Sequence, residues 1–142
     1  MKQLLAALML FSPAAFAQIQ IENAWAHATP PAAQVAGGYL AIRNVGSALD
    51  RLIGAASPAA ARVEMHVVVM ESGVMKMREV NGLPLPANGV LELKPGAAHL
   101  MFVDISRPFK AGDAVPVTLR FERAGERKFE LHVRPVTARD YK

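Results

Sequence analysis

Turn signals recur along this chain at close intervals, and they cut it into segments too short and too evenly alternating for helices. Glu71-Ser72-Gly73, Asn81-Gly82, Asn88-Gly89, Lys94-Pro95-Gly96, Lys110-Ala111-Gly112-Asp113 and Ala124-Gly125 each punctuate an apolar run, and Gly37-Gly38 reads as another such turn. The runs between them have strand character. Gln18–Glu22 alternates polar and apolar with period two, and Arg62–Met70 is rich in β-branched residues. Tyr39–Asn44, Arg51–Ala55, Val74–Val80, Val90–Lys94, His99–Ile105, Val115–Glu122 and Lys128–Arg134 are the other predicted strands. Ala28–Ala36, with Pro30-Pro31, reads as a loop, and Ala56–Ala61, interrupted by Pro58, as at most one helical turn. Short strands with turns every ~8–12 residues predict an all-β sandwich or barrel. No repeat, linker or second domain interrupts the pattern, so a single domain is expected.

The first residues read differently. In Met1–Ala17, Lys2 precedes an apolar run over Leu4–Phe11, Pro13 breaks it, and Ala15-Phe16-Ala17 has the small-x-small form of a cleavage site. The run falls short of the ~20 apolar residues a spanning helix needs. Residues 1–17 are therefore expected to be a signal peptide cleaved after Ala17. Gln18–Lys142 would be the mature domain, exported to the periplasm and not membrane-spanning.

Composition narrows the chemistry. With no cysteine among 142 residues, disulfides, thiolate metal sites, cysteine nucleophiles, iron–sulfur clusters, blue-copper centres and lipid attachment at a cysteine are all excluded. The formal charge of +4 is dispersed, with no basic run or aromatic interleaving, so no nucleic acid partner is expected. There is no Gly-rich phosphate loop and no nucleophile elbow for a hydrolytic triad. Glu64, Glu71 and Glu79 lack the spacing of a calcium loop. No enzymatic constellation stands out.

What remains is sulfur and imidazole. Met65, Met70, Met75, Met77 and Met101 crowd one stretch of the mature chain, and His66 and His99 lie within it. Thioether plus neutral imidazole without thiolate is a soft-to-borderline donor set that suits Cu(I). His99 and Met101 are two apart on a predicted strand and leave it on one face, as do Met75 and Met77. A hairpin of 62–70 with 74–80 would let His66 and Met77 approach across it, and His99 with Met101 on a third strand would complete four ligands. Met65, Met70 and Met75 read as packing or site-lining residues. His27, beside the Pro30-Pro31 loop, and His132, on the last strand, read as structural or exposed, with a weak Cu(II) site through one of them left open. Trp25 reads as a core or edge anchor.

The spacing His66, ten residues, Met77, twenty-one residues, His99-x-Met101 resembles the motif of the periplasmic PCuAC family of copper(I) chaperones. Gly73-Val74-Met75-Lys76-Met77-Arg78, Leu91-Glu92-Leu93-Lys94-Pro95-Gly96, His99-Leu100-Met101, Ala24-Trp25, Thr29-Pro30-Pro31 and Gly38-Tyr39-Leu40 are similar to that family too. The resemblance spans nearly the whole mature chain. It implies a cupredoxin-like β-sandwich of Greek-key type holding one Cu(I) per chain through His66, Met77, His99 and Met101. It also implies delivery by ligand exchange to a copper-accepting protein, with cytochrome c oxidase subunit II or another copper chaperone as the acceptor. Some members carry a His/Met-rich extension for a second copper, whereas no His or Met follows His132 here.

Two further readings stay open on the residues alone. One is a periplasmic copper-buffering or resistance protein using the same ligands. The other is a metal-free β-sandwich binding module whose Met cluster is a contact surface. A copper carrier of this kind should also bind more weakly in acid, because protons compete for the imidazole nitrogens.

Overall fold

The computed structural model describes residues 18–136, and the expected signal peptide lies outside them. Its ten strands are β1 (Ile19–His27), β2 (Val35–Asn44), β3 (Asp50–Ala56), β4 (Ala60–Glu71), β5 (Val74–Val80), β6 (Leu83–Leu85), β7 (Val90–Leu93), β8 (His99–Ile105), β9 (Ala114–Phe121) and β10 (Gly125–Arg134). Among the described residues no helix is long and apolar enough to cross a membrane. The expected all-β, cupredoxin-like sandwich is what the chain forms.

Hydrogen bonding runs in the order β5-β4-β8-β2-β1-β10-β9-β3-β6, with β7 beside β2. A further pairing, Ala55 opposite Val63, joins β3 to β4 and closes the path on itself. The pair β1–β10 is parallel. Period-two alternation decides which face is inside. Along β2, Ala36, Leu40 and Ile42 point inward, and along β9 Val115, Val117, Leu119 and Phe121 do. They meet Leu52, Met65, Leu100, Phe102, Leu131 and Val133 in one continuous core.

Two local expectations are corrected. Gly37-Gly38 is not a turn but the interior of β2. A Cβ on Gly38 would lie 2.7 Å from the Phe102 ring and 3.0 Å from Leu131, so the glycine admits the core at a close approach. The predicted loop Ala28–Ala36 also ends early, because Val35 and Ala36 already pair with Val103 and Phe102.

The first strand continues past the predicted Glu22 to His27. Asn23 adopts a left-handed φ of 51°, and the register shifts between Glu22 and Trp25. That bulge changes the phase of the alternation. It sends Ala26 into the core and turns Trp25 and His27 outward. Trp25 is half-buried there, covered by Tyr39 and capped by the Arg134 guanidinium 4.5 Å from its ring centre. It therefore anchors an outer face rather than the core.

Candidate metal centre

Three neighbouring strands, β5, β4 and β8, carry the four residues singled out by the sequence. Register fixes their relation. His66 lies directly opposite His99 in the β4–β8 ladder, and Met101 lies opposite Glu64. In the β4–β5 ladder Met77 faces Val68, while His66 faces Glu79. Side chains directly opposite share a face of the sheet, and so do residues two apart. His66, Met77, His99 and Met101 therefore all project from one face. It is the outer one, since the alternate residues Met65, Leu100 and Phe102 are core.

The two imidazoles come together most closely, with ring centres 5.6 Å apart. Met101 sits two residues along β8 from His99, diagonal to His66 across the ladder. Met77 sits diagonal to His66 on the other side, at a Cα separation of about 7–8 Å for such positions. It is thus not the direct cross-strand neighbour of His66; Glu79 is. Met77 is 58% exposed, whereas His99 is 5% exposed.

Hydrogen-bond partners set the tautomer of each ring. The Nδ1–H of His99 donates to the Ala97 carbonyl at 2.8 Å, which leaves Nε2 as its lone-pair nitrogen. The Nε2–H of His66 donates to Glu64 Oε2 at 2.8 Å. Its Nδ1 is then the lone-pair nitrogen, and it is buried with no protein partner. A buried acceptor left without a donor is costly, and the ring that carries it lies 5.6 Å from the His99 ring, centre to centre. The Glu64 carboxylate also accepts from Arg62 Nε at 2.6 Å. The Arg62 contact first, and the His66 ring second, hold that carboxyl below the usual carboxylate range. Arg62, Glu64 and His66 thus form a relay that keeps one ring oriented, as carboxylates do behind metal-bound histidines.

Tyr39 walls the other flank. Its ring centre lies 6.4 Å from that of His99, and its hydroxyl covers Gly37, the residue paired with Met101. Burial pushes its phenol above the ordinary value. His27 stacks edge-on against Trp25 and Tyr39, with its own Nδ1 buried and unpartnered. His132 is exposed on β10.

Neither Glu64 nor Tyr39 was singled out for the site from the sequence. Glu64 could have been, because Glu64-x-His66 on a strand shares a face by the same period-two rule that joined His99 to Met101. Tyr39 reaches the histidines only through the β2–β8 pairing, which no local pattern encodes.

The remaining methionines divide. Met65 is core, as a packing reading expects. Met70 and Met75, 65% and 62% exposed, lie outside the core and oppose one another across the β4–β5 ladder. Among the described residues no group of three or more His, Cys, Asp or Glu side chains is placed to hold an ion. Four possible donors share this face only when thioethers are counted beside the two imidazoles, a set that suits soft ions better than hard ones.

Comparison with known proteins agrees with the family resemblance and the fold. The profile of the LpqE-like lipoprotein family matches residues 19–133. The lipoprotein-designated Lxx21020 of Leifsonia xyli subsp. xyli is 35% identical over 104 residues, which is 72% of this chain. The chain spans 61% of the length of that relative. Among solved structures, the copper-bound PCuAC domain from PmoF2 superposes with a TM-score of 0.71 at 30% identity, over 83% of this chain and 93% of that one. Apo-DR1885 from Deinococcus radiodurans gives 0.64 at 25% identity, over 95% and 90%. Its CuI form gives 0.61 at 27%, over 86% and 80%.

Proposed function

The chain belongs to the LpqE-like lipoprotein family, and from that premise we propose that it is a periplasmic carrier of Cu(I), not an enzyme. One ion is held by His66 Nδ1, His99 Nε2 and the sulfurs of Met77 and Met101. The observation that carries this reading is the opposed histidine pair. Each ring has one nitrogen tied off by a neighbour and the other left as a bare acceptor, on a face that also presents two thioethers. The copper-bound and CuI forms of proteins with this fold support it. The lipoprotein relative supports export.

All four ligands are neutral, so binding a univalent cation releases no proton when the rings are already unprotonated. Without thiolates the grip is moderate, which favours handover. The exposed Met77 is the ligand an incoming acceptor can replace first. Transfer then proceeds by ligand exchange with no change in oxidation state, to a copper-accepting protein such as cytochrome c oxidase subunit II.

Anaerobic Cu(I) titration against a chromophoric chelator tests this. Wild type should bind one equivalent, and a His99→Ala, Met101→Ala variant should bind at least about a hundredfold more weakly. Equal affinity in the two proteins would remove the reading. Loss of copper from the loaded protein to an acceptor, but not to buffer, separates delivery from buffering.

A further inference from the structure

The β4–β5 hairpin carries chemistry that the histidine site does not use. Its two-residue turn, Ser72-Gly73, makes Glu71 and Val74 the pair that exchanges hydrogen bonds beside it. The next pair outward from the turn, Met70 opposite Met75, is then a non-hydrogen-bonded pair, with Cβ atoms about 4.5–5.5 Å apart. Met77 lies two residues along β5 on the same face, diagonal to Met70. Met70, Met75 and Met77 are all more than half exposed.

Charge on this hairpin is sorted by face. Glu71 binds both Lys76 and Arg78, and all three lie on the opposite face from the methionines. Between the turn and the level of His66, the methionine face carries only Val68 besides the three thioethers. The first charged residue met on it is Glu79, opposite His66. No cation lies on that face between the turn and His66, and Arg62, farther along β4, is paired with Glu64.

We propose that Met70, Met75 and Met77 form a second, thioether-only Cu(I) site at the hairpin tip, a landing site from which the ion passes to the histidines. This rests on the reading of Cu(I) as cargo. Met77 belongs to both sets. It keeps hold of the ion while the sulfurs of Met70 and Met75 are exchanged for His66 Nδ1 and His99 Nε2. Every ligand in the exchange is neutral, so no proton or electron moves with the ion. The tip site is all sulfur and outermost, so it captures; the inner site adds two oriented imidazoles, so it holds.

The test uses the full chain labelled with ¹³C at the methionine methyls and titrated anaerobically with Cu(I). In a His66→Ala, His99→Ala variant, the Met70, Met75 and Met77 methyl signals should shift together and saturate at one equivalent, while buried Met65 stays still. Adding Met70→Leu and Met75→Leu to that variant should abolish the saturable shift at Met77. Methyl signals that do not move in the histidine variant, or that drift without saturating, would overturn the tip site. The Met70→Leu, Met75→Leu protein with intact histidines keeps the two ideas apart. Its histidine ring signals should still respond to one equivalent, and if they respond in neither this protein nor wild type, the inner site fails while the tip site stands.

Discussion

A carboxylate two residues ahead of a histidine on a strand has one obvious partner, and Glu64 takes it. By accepting from His66 Nε2–H it fixes which nitrogen is free, and Arg62 keeps it ionised for that task. Glu64→Gln keeps the shape but weakens the relay. It should lower Cu(I) affinity by roughly 10–100-fold, read by chelator competition, with the fold intact by circular dichroism. Tyr39 makes a different prediction. Its phenol titrates above the ordinary tyrosine value because burial disfavours the phenolate. A raised folded-state value means that the stability held by the neutral ring is fully present below the unfolded value and lost as pH rises through the folded one. Wild type should therefore lose stability on going from about pH 9 to about pH 11, and Tyr39→Phe should lose less. Urea unfolding at the two pH values measures this. The four ligand candidates were legible in the sequence because their spacing is a property of the chain. Glu64 was legible in principle, and Tyr39 was not, since only β2–β8 pairing brings it to His99.

The β4–β5 hairpin shows how an element aims a site. Ser72 at φ 49° and Gly73 at φ 78° give the turn two left-handed residues, the combination whose twist matches the flanking strands. That turn sets the register, and the register puts three methionines on the histidine face and the ion-paired charges on the other. A slip of one residue would reverse both faces. Strand β2 shows where local reading fails. Gly37-Gly38 looks like a turn, yet both residues are paired in the middle of a strand, because Phe102 and Leu131 come too close for a side chain at 38. The second half of β1 escaped for a related reason: the bulge at Asn23 breaks the alternation that identified the first half. Gly38→Ala should cost about 1–3 kcal/mol by overpacking the core, measured as a lower urea midpoint with an unchanged slope. A neutral result would mean that Phe102 relaxes freely, and that the glycine answers to something other than this contact.

At the scale of the molecule, alternating strands and turns specified an all-β domain but not the order of strands in it. The parallel β1–β10 pair and the β3–β4 contact join residues far apart in sequence, and nothing local encodes them. Buried polar groups secure other joins between distant parts of the chain. Asp50, 2% exposed at the start of β3, accepts from its neighbour Arg51 N at 2.8 Å, and from Arg123 N and Ala124 N of the β9–β10 turn at 2.8 and 3.0 Å. Asn44, fully buried, similarly ties the end of β2 to Ala48 and Leu85. Removing a carboxylate that serves three amides leaves donors with no acceptor, each costing on the order of 1–3 kcal/mol. Asp50→Ala should therefore destabilise by about 3 kcal/mol or more, a drop in Tm of roughly 10 °C for a domain of this size. Asp50→Asn, which retains one acceptor oxygen, should fall between the two. None of the strands that Asp50 joins bears one of the four proposed Cu(I) ligands. Below its own Tm the alanine variant should accordingly bind Cu(I) with wild-type affinity, whereas a parallel loss of affinity would mean that closure of the barrel, and not only the register of β4, β5 and β8, shapes the copper face.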